Sequence, residues 1–137
     1  MSSDTEHTAG RHKLPSVRYG LTLKDSRCKF EYFVTVNFFE DRNPAEVFVR
    51  IAKEGSTVAG FVEALAITIS IAWQYGVPWN VLYNKFLGQI FEPRDDENSS
   101  LVDAICKTID KAIKEWKVVN NKFERNKKKL KGIENVQ

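Results

Sequence analysis

The chain has 137 residues, 42% of them hydrophobic and 12% aromatic, which is enough for one domain with a real core. Its most apolar run, residues 58–73, is interrupted by Glu63 and is shorter than the roughly 18 residues of a membrane span. The net charge of +3 is uneven, because residues 107–131 carry ten Lys or Arg against three acids. We therefore expect a soluble, cytoplasmic protein that does not enter a membrane and whose basic character belongs to its C-terminal segment.

The N-terminal segment, residues 1–14, is polar and lacks the apolar run of a secretory signal, which predicts a disordered leader. Both histidines, His7 and His12, lie in this segment, so the rest of the chain has no histidine to serve as a general base. We expect a single domain over residues 15–123 and a basic, mobile tail over residues 124–137.

Three segments are predicted to form β-strands. Residues 17–24 alternate apolar and polar side chains, which is typical of a half-buried edge strand. Residues 30–39 are dense in aromatic and β-branched side chains, and residues 46–51 continue this composition after a connection rich in turn formers. The second and third segments are expected to pair as an antiparallel hairpin, with Pro44 in the turn or at the start of a strand.

From residue 58 onward the apolar residues recur at three- and four-residue steps, which is the period of a helix. This spacing predicts a core helix over residues 57–75, with Ser56 or Thr57 as its N-cap and Gly76 as the residue that ends it. The apolar surface extends beyond one stripe, so we expect this helix to be buried on more than one side.

Two further helices are predicted after the core helix. A short one covers residues 79–87 behind Pro78, and a long one begins near residue 101 with an apolar face that reaches about residue 123. The order of strands and helices predicts an α+β fold, in which an antiparallel sheet of about three strands packs against about three helices, the last of them long.

The turn between the third strand and the core helix is the one small-ligand site that the residues suggest. Free backbone amides and the positive end of a helix dipole favour an anion there, and the phosphate of a nucleotide is the natural candidate. The expected ligand contacts are Arg50, Lys53, Gly55, Ser56 and Thr57. The alternative is structural: Gly55 makes a tight turn and Ser56 caps the helix, without the spacing of a phosphate-binding P-loop.

The basic C-terminal segment suggests contact with a nucleic acid or with a protein partner. Clustered Lys and Arg bind phosphate backbones through counterion release. The residues expected to make such contacts are Lys122, Arg125, Lys127, Lys128 and Lys129. The alternative is a solvated basic face with no partner.

Neither cysteine belongs to a CxxC pair or a histidine-containing cluster, so no metal site is expected. Cys106 falls on the apolar stripe of the third helix, which favours core packing. Cys28 lies between Arg27 and Lys29, which would lower the pKa of an exposed thiol, and it is the candidate for a reactive cysteine.

The candidates for acid–base chemistry are three consecutive acidic residues in the loop before the third helix, Asp95, Asp96 and Glu97. Adjacent carboxylates in a loop are usually directed to solvent, and no catalytic residue is predicted from them.

The predicted hairpin carries more aromatic residues than one helix layer can cover: Tyr32, Phe33, Phe38, Phe39 and Phe48. Excess apolar surface of this kind favours a homo-oligomer, and its alternative is cover by the third helix.

Short motifs follow one another in a characteristic order: Val34-Thr35-Val36-Asn37, Glu40-Asp41, Pro44, Glu46-Val47-Phe48-Val49, Lys53-Glu54-Gly55-Ser56-Thr57 and Gln74-Tyr75-Gly76-Val77-Pro78. In order and spacing they resemble the TSCPD domain, a small module at the C-terminal end of adenosylcobalamin-dependent ribonucleotide reductases that also occurs as short separate proteins. The run at 91–93 and the run at 100–105 are similar to the family's closing segment, so the likeness covers roughly residues 17–115. Many members carry Ser-Cys-Pro-Asp before the last helix, where this chain reads Leu101-Val102-Asp103.

The resemblance implies a stand-alone accessory or binding module related to ribonucleotide reductase, in nucleotide metabolism and DNA precursor synthesis, with a reductase large chain as a partner. The barrel that houses the family's radical chemistry, with its cobalamin site and active-site cysteines, would need several hundred residues. We therefore expect no cofactor on this chain, adenosylcobalamin entering only by family association, and no catalysis by the chain alone. The alternative function is a nucleotide, cyclic-nucleotide or nucleic-acid binding protein that acts by sequestration.

Overall fold

The computed structural model describes residues 10–52, 55–90, 92, 94–98 and 100–135. Three strands are followed by three helices, with the bounds β1 (Tyr19–Arg27), β2 (Phe30–Phe38), β3 (Pro44–Ile51), α1 (Thr57–Gln74), α2 (Trp79–Phe86) and α3 (Leu101–Asn135). The predicted α+β fold, with its antiparallel sheet and long C-terminal helix, is confirmed.

The strands form one antiparallel sheet in the order β1-β2-β3, so β2 is central and the other two are edges. A two-residue turn joins β1 to β2, and both of its residues, Cys28 and Lys29, have positive φ angles of 51° and 67°. Such turns match the right-handed twist of the paired strands. The register therefore places Leu23 opposite Val34 and continues regularly along both strands.

The two faces of the sheet differ. On β2 the side chains of Tyr32, Val34, Val36 and Phe38 are buried and alternate with outward-facing ones. α1 packs against β3, while α3 packs against β1 and β2, and together they cover this buried face. Within the described part of the chain no element covers the other side. We call that side the open face, and it comprises Thr22, Lys24, Glu31, Phe33, Thr35, Phe48 and Arg50.

α1 buries one stripe, which includes Val62, Ala66, Ile69 and Trp73, and leaves other apolar side chains such as Phe61 exposed. The expectation that this helix is buried on more than one side is therefore wrong. By length and composition the helix would pass as a membrane span, with a mean hydropathy of 1.4 over 18 residues, which overturns the prediction that the run is too short. The core helices of soluble proteins meet the same criterion.

α3 is the longest element and buries its first half. Ile105, Ile109 and Ala112 are fully enclosed, and the ring of Trp116 stacks on Phe38 at 5.0 Å between centroids. The helix continues through the segment predicted as a tail and ends at Asn135. The mobility of residues 124–137 stays a prediction.

The described end of the predicted leader lies against the domain. The backbone N–H of His12 donates to the carbonyl oxygen of Gln74 at 2.7 Å, and Arg11 Nε donates to the side-chain oxygen of the same residue at 2.7 Å. The His12 ring meets Phe39 edge-on at 5.9 Å. The predicted disordered leader also includes residues 1–9, which lie outside the described residues.

Candidate functional site

A groove of about 940 Å³ runs between β3 and α1. Three of the five residues predicted to bind an anion, Arg50, Gly55 and Ser56, lie along it. Thr57 is the first residue of α1 and is not among the groove-lining residues, and Lys53 lies outside the described residues. The structure thus brings three residues of the predicted site, Arg50, Gly55 and Ser56, together at one end of an open groove.

Polar side chains of α1 hold the helix against the outer edge of β3. The backbone N–H of Val47 donates to Ser70 Oγ at 2.9 Å, and Gln74 Nε2 donates to the carbonyl oxygen of Ala45 at 3.1 Å. An uncovered strand edge invites pairing with other chains, and side chains that bind its backbone prevent this. These bonds cover the first half of β3, so the groove is available mainly beside its second half.

The start of α1 has the geometry of an ordinary capped helix. Ser56 Oγ accepts a hydrogen bond from the backbone N–H of Ala59 at 3.1 Å, and Gly55 has a φ angle of 77°. Glycine adopts this left-handed conformation without the strain that a Cβ would cause. The structural alternative for these two residues is therefore present, and the use of this turn as an anion site stays a proposal.

Asp95 ties the loop before α3 to the β1–β2 turn. Its carboxylate accepts hydrogen bonds from the backbone N–H groups of Cys28 at 3.0 Å, Glu97 at 2.9 Å and Asn98 at 2.7 Å. These donors, the Cys28 N–H above all, lower the pKa of Asp95 to about 2. A carboxyl group with so low a pKa stays ionised and is a structural acceptor rather than a general acid.

The contact with Asp95 also decides the chemistry of Cys28. The residue is buried in the turn, and burial together with the nearby Asp95 charge raises the pKa of its thiol. The hypothesis of a reactive thiol at Cys28 is therefore wrong, because the two flanking cations do not outweigh burial. Cys106 is fully buried, as predicted, and burial raises the pKa of its thiol to about 12.

Ser100 and Asp103 form a buried polar cluster at the start of α3, where the last residues of the preceding loop are predicted to supply the N-cap, although the burial of Asp103 was not predicted. Ser100 Oγ accepts a hydrogen bond from the Asp103 backbone N–H at 3.1 Å, which caps α3. The Asp103 carboxylate, 2% exposed, accepts from the N–H of Gly88 at 2.9 Å and pairs with Lys107 at 3.0 Å. A serine three residues before an acidic residue at a helix start is a recognisable signal for such a cap.

A second, smaller cavity of about 280 Å³ lies between β1, the Asp95 loop and α3. Its charged groups already bind one another: Arg27 lies 2.8 Å from Glu97 and 3.3 Å from Asp25. Thr108 lines this cavity, and its Oγ1 lies 3.1 Å from the hydroxyl of the buried Tyr32, whose pKa burial raises to about 12. This cavity is part of the contact between the loop and the sheet.

The five basic residues predicted to contact a partner are all exposed on the second half of α3. Helical spacing places Lys122, Arg125, Lys128 and Lys129 toward one side, while Lys127 faces elsewhere. The structure therefore gathers four of the five. Among the described residues no group of three or more His, Cys, Asp or Glu is arranged to hold a metal ion.

A three-stranded antiparallel sheet with helices on one face defines a small two-layer α+β domain. The TSCPD domain model matches residues 6–113, and the chain belongs to the TSCPD domain family. This confirms the family that the motif order indicated, and it places the cluster at Ser100 and Asp103 within the matched region.

Curated proteins similar to this chain include vitamin B12-dependent ribonucleotide reductases. The one from Rhodopirellula baltica is 38% identical over 106 residues, which is 77% of this chain and 10% of the relative. The one from Streptomyces clavuligerus is 35% identical over 107 residues, 76% of this chain and 11% of the relative. The chain thus spans about a tenth of the length of these relatives. No solved structure matches it.

Proposed function

We propose that the chain acts as a stand-alone accessory or binding module related to ribonucleotide reductase, and that it contributes contacts rather than chemistry. The observation that carries the proposal is the match to about a tenth of each reductase over three quarters of this chain. Such a match makes the chain the counterpart of one small part of a large enzyme. Because these relatives are ribonucleotide reductases, we further propose that the chain acts in nucleotide metabolism and DNA precursor synthesis.

The state of the thiols supports a non-catalytic role. Cysteine chemistry needs an accessible thiolate. Cys28 and Cys106 are both buried and their pKa values are raised, so both are protonated at neutral pH. Of the polar side chains that line the groove between β3 and α1, Ser70 and Gln74 bind β3 and so have a structural role.

Reconstitution with a relative tests this proposal. The reductase of Rhodopirellula baltica is prepared without its matching segment, and this chain is added in trans while binding is followed by sedimentation and turnover by product formation. We expect a complex and at least partial recovery of any turnover lost on removal of the segment. The excised segment itself is the positive control. Recovery with the excised segment but neither binding nor recovery with this chain would contradict the proposal.

A second candidate function is binding of a nucleotide or cyclic nucleotide by sequestration. It is supported by the position of Arg50, Gly55 and Ser56 along one groove at the start of a helix, where backbone amides favour a phosphate. Lys53, which is also predicted to contact the ligand, lies outside the described residues.

Thermal shift against a panel of linear and cyclic nucleotides tests this second function. A ligand at 100 times its Kd stabilises a protein by about 2.7 kcal/mol, which is readily measured. We expect Arg50→Ala and Lys53→Ala to remove the shift and Lys85→Ala, which changes an exposed lysine on α2, to preserve it. A panel without any shift, or an equal shift in all three variants, would rule out the groove as the site.

A further inference from the structure

The open face of the sheet places cations and aromatic rings in rows across the strands. Lys24 on β1, Phe33 on β2 and Arg50 on β3 are direct cross-strand partners. Phe48 pairs with Thr35, two residues from Phe33, so the two phenylalanines are diagonal neighbours, about 7 to 8 Å apart. Phe33 thus lies between the cations Lys24 and Arg50 and has the ring of Phe48 as its diagonal neighbour.

Both rings are presented to solvent. Phe33 is 44% exposed and Phe48 is 56% exposed, whereas Tyr32 and Phe38, on the other face of the same sheet, are completely enclosed. The Lys24 ammonium lies 5.7 Å from the centre of the Phe33 ring. Two shallow cavities, of about 460 and 310 Å³, adjoin this part of the face, and Phe33 and Arg50 line both of them.

We propose that the open face binds single-stranded nucleic acid, with successive bases stacked on Phe33 and Phe48 and phosphates placed beside Lys24 and Arg50. Aromatic side chains on an open sheet stack unpaired bases in this way, and nearby cations hold the backbone. Glu31 pairs with Lys24 at 3.0 Å, but both side chains are more than half exposed. An ion pair exposed to that degree is weak and gives way to a phosphate.

The composition of the face favours this occupant over two others. The core of a protein–protein interface is depleted of charged residues, whereas here Lys24 and Arg50 flank Phe33 directly. A single nucleotide needs a concave site that encloses most of its surface, and this face is open. A strand of nucleotides can instead lie along a flat surface. The proposal is independent of any association with a reductase.

Fluorescence anisotropy with labelled 12-nucleotide oligothymidylate and oligouridylate tests the proposal. Because the lysines of α3 also attract phosphates, all variants are made in a background in which Lys127, Lys128 and Lys129 are changed to Gln. We expect Phe33→Leu and Phe48→Leu each to weaken binding about 5- to 100-fold, since leucine keeps apolar area but removes the stacking surface. Phe33→Trp should retain binding, and Lys24→Gln should reduce the salt dependence.

Phe61→Leu is the matched control, because Phe61 is 73% exposed but lies on α1, away from the open face. Thermal melts verify that every variant is folded. The proposal is overturned if the leucine variants bind as tightly as their background, or if Phe61→Leu weakens binding equally. It is also overturned if free thymidine or uridine triphosphate competes as well as the oligonucleotide. Loss of a dimer in Phe33→Leu without any change in oligonucleotide affinity would assign the face to self-association instead.

Discussion

At the scale of single residues, Asp95 links two parts of the chain that are far apart in sequence. Its carboxylate binds the backbone of the β1–β2 turn at Cys28 and the backbone of its own loop at Glu97 and Asn98. Charged acceptors make stronger hydrogen bonds than neutral ones. The loop before α3 is therefore held to the sheet by one ionised side chain.

This arrangement predicts a specific pH dependence of stability. The folded pKa of Asp95, about 2, lies below its ordinary value of 3.8, so the folded state is stabilised while the group is ionised. The contribution is complete above about pH 4 and is lost as the pH falls toward 2. We expect Asp95→Asn to lower Tm at pH 7 and the difference from wild type to disappear near pH 2.

Thermal melts from pH 7 to pH 2 measure this difference directly. Asp96→Asn, which changes the neighbouring exposed carboxylate, is the control and should follow the wild type. A difference between wild type and Asp95→Asn that stays constant over the whole range would show that the carboxylate charge plays no part.

The same contact shows why one residue-level prediction failed. Cys28 has two cationic neighbours in sequence, and that pattern is typical of a reactive thiol. What buries it is the packing of the hairpin turn against a loop 67 residues later, with Asp95 bound to its N–H. A contact of that sequence separation leaves no local signal, so the thiol environment could not be predicted from its neighbours.

At the scale of elements, local signals predicted both ends of α1 but not the end of α3. The core helix was predicted over residues 57–75 with Ser56 or Thr57 as the cap, and α1 covers Thr57–Gln74 with Ser56 capping it. The N-cap is a local pattern of a few residues. The third helix continues to Asn135, beyond its apolar face, because apolar periodicity reports packing, whereas Lys, Glu and Arg sustain a helix by propensity alone.

The candidate site was predictable in part, because the residues that form it are near one another in the sequence. Arg50, Gly55 and Ser56 are close in sequence and meet in one groove. The open face, in contrast, depends on strand register, since Phe33 and Phe48 become neighbours only when β2 pairs with β3. The crowding of aromatic residues indicated excess apolar surface, but only the register shows that Phe33 lies between two cations.

At the scale of the whole molecule, α3 joins two different parts. Its first half completes the core, and Trp116 stacks on Phe38 at the edge of that core. Beyond this point Arg42 reaches the helix from the body of the domain and lies 3.5 Å from both Asn121 and Glu124. Residues 124–132 are all exposed. The folded domain thus depends on the first part of the helix.

Truncation after Arg125 therefore should leave the free energy of unfolding unchanged within about 0.5 kcal/mol, as expected for changes away from buried contacts. Trp116→Ala removes an aromatic stack and partly buried area and should cost about 2 to 3 kcal/mol, because a cavity remains beside Phe38. Urea unfolding of both variants measures the contrast, with equal m-values as the check that the same surface unfolds. A truncated chain that loses as much stability as Trp116→Ala would mean that the distal helix packs on the domain, and the division of α3 into a core half and a projecting half would be wrong.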